Sequence, residues 1–307
     1  MSCSIVEYLG KSVEQNTHQV QRHYISKDNK LTMSCPFRYG ACDKAMKGYK
    51  PICSVRDGRG DLWITCEHRL CSTTKNQRHS LTGEIIKDSP LIPYQKNILT
   101  EIATEIYGAG VTIDNVKVKR EVPVPVEGGS DYKADFVMVN HSSQNAFNII
   151  LEMQGGGETT NTGIITQHVT DWEQNQSMYN SDLAINISKA GTLVTNAWRR
   201  QQEQFLVKGN VVTQTGGRIV FAVGTLLYDY IYGRIERANL RALQDHGWTL
   251  ALIAFRENGL NPDLSVKLEI DHERKLYTNY STFVRTLTDQ GAPCPELFYG
   301  PYIDITD

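Results

Sequence analysis

The sequence predicts an α/β fold: a mixed sheet flanked by helices, with a small cysteine-rich module ahead of it. Three observations carry this. Two continuous apolar runs, Arg218 to Leu226 and Thr249 to Phe255, read as buried central strands, and the stretch between them, Asp229 to His246, has a helical period. Strand, helix, strand is an α/β crossover. Two shorter apolar, β-branched runs, Asp135 to Asn140 and Phe147 to Gln154, flank a polar turn and read as neighbouring strands. Five of the seven cysteines lie between Cys35 and Cys71, a clustering that points to metal and not to a secreted disulfide framework.

The chain has 307 residues, enough for one large domain or two modest ones. It divides into an N-terminal arm (1–34), a cysteine module (35–75) and a core (90–307). Basic and acidic residues balance, 32 against 34, for a formal charge of −2. That balance does not favour a general polyanion binder, although the field in a local cleft counts for more than the sum. No run approaches the ~18 apolar residues of a membrane span. The start, Met1 to Glu7, lacks the basic region and apolar core of a signal peptide. A cytoplasmic protein is expected.

Residues 1 to about 30 mix Gln, Asn, His and Lys with few apolar anchors. They predict a loosely packed arm, with Val6, Tyr8 and Leu9 docking a short helix. Then come Cys35, Cys42, Cys53 and Cys66, separated by 6, 10 and 12 residues, with His68 and Cys71 as spare ligands. Four thiolates at tetrahedral geometry hold Zn2+ or a single Fe ion, and geometry does not choose between them. The stretch is rich in Gly and charge and short of apolar periodicity, so a metal would supply the stability that a core cannot. The tight Cys-x2-Cys knuckles of common zinc modules are missing.

Tyr94 to Tyr107 places Ile98, Leu99, Ile102, Ala103 and Ile106 on one helical face, closed by Gly108. Val116 to Val126 alternates and contains two prolines, which marks an edge strand. Glu121 within it is either a further acid for the site below or a charge paired with Lys117, Lys119 or Arg120.

The two strands around the 141–145 turn carry the chemistry. Asp135 opens the first, and Glu152 and Gln154 end the second on one face. Antiparallel pairing brings all three to one sheet edge beside Gly155, Gly156 and Gly157. Two carboxylates with nearby backbone carbonyls suit a hard cation such as Mg2+, which activates water and neutralises charge developing on a phosphate. The plainer reading makes Asp135 a strand-start turn residue and Glu152 an edge-strand charge. The loop from Gly155 to Gly163 is rich in hydroxyls suited to phosphate or base contacts. Glu158 in it is either a cation ligand or a solvent-facing charge.

Ile187 to Val207 reads as a helix weakened at Gly191, with Arg199 and Arg200 on its polar face. Ser265 to Ile270 alternates as a strand, Arg274 and Lys275 follow it, and Ser281 to Leu287 forms a short helix. Cys294 reads as structural.

The order Asp135…Glu152-x-Gln154 resembles the PD-(D/E)XK nuclease core, with Gln where Lys is commoner. Cys35-Pro36-Phe37, Cys42 followed by Lys44, Ile52 to Arg56, and Ile64 to Leu70 resemble the N-terminal motif of the NotI family of Type II restriction endonucleases. The two parts stand in the family's order and together span about half the chain. The resemblance implies a structural iron on Cys35, Cys42, Cys53 and Cys66, with Cys71 able to replace one ligand. It implies Mg2+ on Asp135 and Glu152, with Glu121 as an additional acid and Gln154 in the catalytic set. The implied activity is site-specific hydrolysis of double-stranded DNA at a GC-rich target, leaving 5′-phosphate and 3′-hydroxyl ends, within a restriction-modification system. Gln154 orients water or substrate through its amide, which carries no charge and does not titrate near neutrality. A palindromic site cut on both strands calls for a homodimer. Two alternatives remain: a metal-stabilised DNA-binding module without catalysis, and a structure-specific repair or transposon nuclease on the same core.

Overall fold

A computed structural model describes residues 2–15, 20, 33–47, 49–72, 74–79, 82–111, 114–126, 132–141, 147–175, 179–289, 296 and 299–303. The 141–145 turn is outside this set except for His141, and Cys294 is outside it too.

The centre is a six-stranded mixed sheet. Its strands are β4 (Val116–Pro123), β5 (Lys133–Asn140), β6 (Ile149–Gln154), β7 (Arg218–Gly224), β8 (Leu250–Leu260) and β9 (Val266–Thr278). Their spatial order is β9-β8-β7-β6-β5-β4. β7 runs parallel to both β6 and β8, and the remaining pairs are antiparallel. The apolar strand β7 is therefore central, and the proline-ended β4 is an edge strand, as expected.

Alternation along β7 sends Ile219, Phe221 and Val223 to one face and Val220 and Ala222 to the other. The second face is covered by α1 (Pro93–Tyr107), whose Ile98, Leu99, Ile102 and Ile106 are buried there. The first face is covered by α3 (Val194–Gln214), α4 (Thr225–Ile235) and α5 (Tyr280–Thr288). α4 joins the parallel pair β7 and β8, which is the expected crossover.

A second sheet sits beside the first. It is built on β1 (Ser2–Tyr8), β2 (Ile52–Asp57) and β3 (Leu62–Ile64), with β1 between Ile187–Ser188 and β2. The expected loose arm is thus corrected over residues 2–13. Ile5, Val6 and Tyr8 are fully buried, and Lys11–Ser12 folds back onto β1. The polar composition hides this because buried Glu7 is satisfied by specific partners and not by water. The rest of the expected arm, 16–19 and 21–32, is outside the described residues. The cysteine segment also contributes to the main cores: Val55 and Trp63 are buried on the α3 face of the central sheet, and Leu62 and Ile64 on the α1 face.

Other boundaries move. The helix expected over Ile187 to Val207 runs Val194–Gln214, because Ile187–Ser188 and Gly191–Thr192 are taken up as short strands. The helix expected over Asp229 to His246 starts at Thr225, ends at Ile235, and passes through a single 3-10 turn to Asn239, which adopts φ +45°. Arg274 and Lys275 lie inside β9, not after it. The sequence reading passed over helix α2 (Thr162–Gln174), where Ile165, Val169 and Trp172 form a narrow buried stripe.

Candidate metal and active site

β5 and β6 pair antiparallel, with Phe136 opposite Leu151. Beyond that pair the ladder stops, and the Asp135 side chain takes over: its Oδ2 accepts the Met153 amide at 2.8 Å. Its Oδ1 accepts the Ser72 hydroxyl at 3.3 Å. This carboxylate is therefore fixed against the end of β6, where Glu152 and Gln154 lie.

Glu152 is buried, with 4 % of its surface exposed. Its Oε2 accepts Lys208 Nζ at 2.7 Å. Its Oε1 is buried without a hydrogen-bond partner. Burial raises the Glu152 carboxyl, the Asp135 charge adds to the effect, and Lys208 opposes it, leaving the group at about 8. Burial also raises Asp135, against the Met153 amide, which favours its ionised form. Two adjacent acids that resist ionising together, one with an orphaned oxygen, make a donor set of the kind that suits a hard cation. The residues present therefore fit Mg2+ or a similar hard ion.

Gln154 is held at both ends of its amide. Its Nε2 donates to Gly156 O at 2.7 Å, and its Oε1 accepts Gln201 Nε2 at 2.6 Å. Asp135, Glu152 and Gln154 line one cavity of about 600 Å3, together with Lys44, His68 and Arg200. The structure brings these three predicted residues together. It does not bring Glu121 to the cavity. Glu121 adopts φ +46°, and its Oε2 accepts the Lys75 amide at 2.7 Å. Glu158 lines the cavity, but its carboxylate pairs with Arg200 at 3.0 Å.

Cys35, Cys42, Cys53 and Cys66 occupy one buried cluster with Phe37 and Ala45. Two local devices gather them. The Ser34–Ala41 bridge closes the loop between Cys35 and Cys42. The Cys53 carbonyl accepts the amides of both Thr65 and Cys66, at 3.1 Å each. Burial raises the thiols of Cys35 and Cys42. Cys66 is held below the ordinary thiol range by the hydrogen bond from Cys53, with Lys44 and His68 contributing. Four buried sulfurs, all free of disulfides, fit a soft or borderline metal by donor chemistry. Cys71 packs elsewhere, with Val6, Leu62 and Leu70, and is not part of this set.

The His68 ring has oxygen partners. Its Nδ1 is 3.1 Å from Ser72 O and its Nε2 is 3.1 Å from Asp43 Oδ2. Among the described residues, Asp43, Glu67 and His68 form the group whose ligating atoms all lie within 4.8 Å of one another, and the thiols do not form such a group.

The sequence reading missed Lys208, Gln201 and Gln204. A signal was present for the first. Lys208 lies three residues after Phe205 and four before Val212, inside the buried stripe of α3. A lysine at a core position of a helix calls for a buried partner.

Among the described residues no helix is long and apolar enough to cross a membrane. No protein-family model matches the chain, and no curated protein matches it.

Proposed function

We propose that this protein is a Mg2+-dependent endonuclease of the Type II restriction class, cutting double-stranded DNA at a specific site. One observation carries the reading: the buried, partnerless Oε1 of Glu152 beside Asp135 in a cavity of about 600 Å3. A hydrolytic site for phosphodiesters needs a cation held by carboxylates, a positioned polar group for water, and room for a phosphate. When bound, the cation polarises the phosphate and activates water. Asp135 and Glu152 would hold it, the first fixed by the Met153 amide. Gln154, clamped between Gly156 and Gln201, orients water or a phosphate oxygen. It cannot carry a proton to or from the reacting atoms. Lys44, whose ammonium meets the carbonyls of Ile52 and Thr65, adds positive charge to the cavity wall for the DNA backbone.

The resemblance of the cysteine segment to the NotI family motif supports the narrower reading, a long GC-rich palindromic target and a homodimer. In the same reading the four cysteines carry iron or zinc, which would brace the segment that forms the cavity's second wall.

The test is incubation of the purified chain with plasmid and phage DNAs of varied GC content, in Mg2+ and in EDTA. Discrete bands in Mg2+ alone are expected, abolished by Asp135→Asn and by Glu152→Gln. Bands that persist in both variants refute the site. A smear in place of bands means a structure-specific nuclease. Binding without cleavage in any cation means a DNA-binding module without catalysis.

A further inference from the structure

We propose that Lys208 is the positioning residue of the cation site: from a helix it brings the positive charge that Gln154 does not bring on the strand. This rests on the reading of Asp135 and Glu152 as cation ligands.

Lys208 is 1 % exposed, yet it is an ammonium inside the apolar stripe of α3. Removing such a group from water is costly unless it is paired and hydrogen-bonded. Its Nζ donates to Glu152 Oε2 at 2.7 Å and to Gln204 Oε1 at 2.8 Å. Gln204 is one helical turn earlier. Gln201, three residues before that, donates to Gln154 Oε1. One face of α3, spaced 3 and 4, thus attends to both polar residues at the end of β6. Gln201 sets Gln154, Lys208 sets Glu152, and Gln204 sets Lys208.

The consequence for Glu152 follows from its two oxygens. Lys208 occupies Oε2 and fixes the plane of the carboxylate. Oε1 is left without a partner. The ammonium also offsets the repulsion between Glu152 and Asp135, so that both can face one cation. A lysine at position 154 would do the same from the strand, because positions 152 and 154 share a face. Here the charge comes from a residue 56 positions along the chain. Outer partners of this kind govern how well the ligands they orient hold a metal.

The test uses the full chain and Mn2+, with free Mn2+ followed by electron paramagnetic resonance, beside Mg2+-dependent cleavage. Lys208→Met should weaken Mn2+ binding by about tenfold, the usual scale for losing an outer partner. Lys208→Arg keeps the charge and should stay much closer to the parent chain. Lys208→Met combined with Gln154→Lys should recover most of the lost affinity and cleavage. A role in shape alone predicts no such recovery. If Lys208→Met does not fold, Lys208→Gln serves as the neutral variant with the same expectation. Unchanged Mn2+ binding in the neutral variant overturns the proposal. So does an equal loss in the neutral and Arg variants. Glu152→Gln separates the two levels. If it leaves Mn2+ binding intact, the cation-site reading fails and this proposal with it. If it abolishes Mn2+ binding while the parent chain cuts no DNA, the nuclease reading fails, and the comparison at Lys208 still decides the role of that residue.

Discussion

Ile64 and Gly156 pair across the gap between the two sheets, and Ile64 O also accepts the Gly157 amide at 3.0 Å. Ile64 is two residues from Cys66, and Gly156 is two residues from Gln154. The bridge therefore ties the cysteine segment to the loop that holds the Gln154 amide. The fit leaves no room. A Cβ at Gly155 would stand 2.5 Å from Ile64 Cγ2, and one at Gly156 would stand 2.9 Å from Ile64 O and from the Trp63 ring. Gly156→Ala should push the loop off its strand and free Gln154, whose Nε2 rests on Gly156 O. A loss of ~1–3 kcal/mol in stability is expected from overpacking, with a larger proportional loss of cleavage. Urea unfolding and plasmid cleavage of the same preparation check both. A Gly156→Ala protein with parent activity would show that the bridge does not reach the site.

Glu7 is the second tie between the sheets. Its Oε2 accepts Arg69 Nε at 2.9 Å and Ser54 Oγ at 2.7 Å, and its Oε1 accepts the Val266 amide at 2.8 Å. Both Glu7 and Arg69 are wholly buried. Removing one member of such a pair leaves the other charge unpaired in the interior. Glu7→Ala should cost ~3–5 kcal/mol, read as a lower urea midpoint with an unchanged slope. A change under 1 kcal/mol would mean the pair is worth no more than a surface contact.

The strands that carry Asp135, Glu152 and Gln154 are legible because alternation alone puts Glu152 and Gln154 on one face, and because only one polar turn lies between the two apolar runs. The helices around them are less so. α2 is hard to read because Thr, Gln, His and Asp separate its three apolar anchors. The helix after β7 was drawn too long because Leu240 and Leu243 continue its period, although Asn239 has already left the helical region. β1 was misread because its partner, Ile52–Asp57, is distant in sequence and Glu7 looks like a surface residue. Lys208 shows the same limit within the site. Its position in an apolar stripe announces a buried partner, but the identity of that partner depends on how α3 docks against β6.

The acids give the metal-free protein a pH dependence. Folded, Glu152 keeps its proton up to about 8, whereas its ordinary value is 4.5. Between those values the folded state binds more protons than the unfolded state, so the contribution of this group to stability falls as pH rises through that window. The raised Asp135 adds in the same direction. In EDTA, urea midpoints should therefore decline from about pH 5 to about pH 8, and Glu152→Gln should flatten the decline. Mg2+ held by these acids would bind their ionised form, so the stabilisation it brings should grow with pH. An equal slope in Glu152→Gln would place the titration elsewhere.

The cysteines divide by location. Cys35, Cys42, Cys53 and Cys66 share one buried cluster with Phe37, while Cys71 packs with Val6, Leu62 and Leu70. Cys71 also sits at φ +60° on the end of the turn from Glu67 to Leu70, and burial holds its thiol far above the ordinary range. Burial raises Cys35 and Cys42 as well, and the hydrogen bond to Cys66 together with burial raises Cys53, so it is location and not acidity that sets Cys71 apart. Cys66 is the opposite case, drawn down by Cys53 and Lys44. If the four-cysteine cluster carries iron or zinc, Cys53→Ser and Cys66→Ser should each lower the metal content of the purified chain sharply, and Cys71→Ser should leave it unchanged. Elemental analysis by mass spectrometry reads this directly, and the absorption of an iron–thiolate centre distinguishes the two metals. The metal-depleted variants should also lose DNA cleavage in Mg2+, because the loosened segment no longer presents Ile64 to Gly156. Metal retained in Cys66→Ser but lost in Cys71→Ser would reassign the fourth ligand.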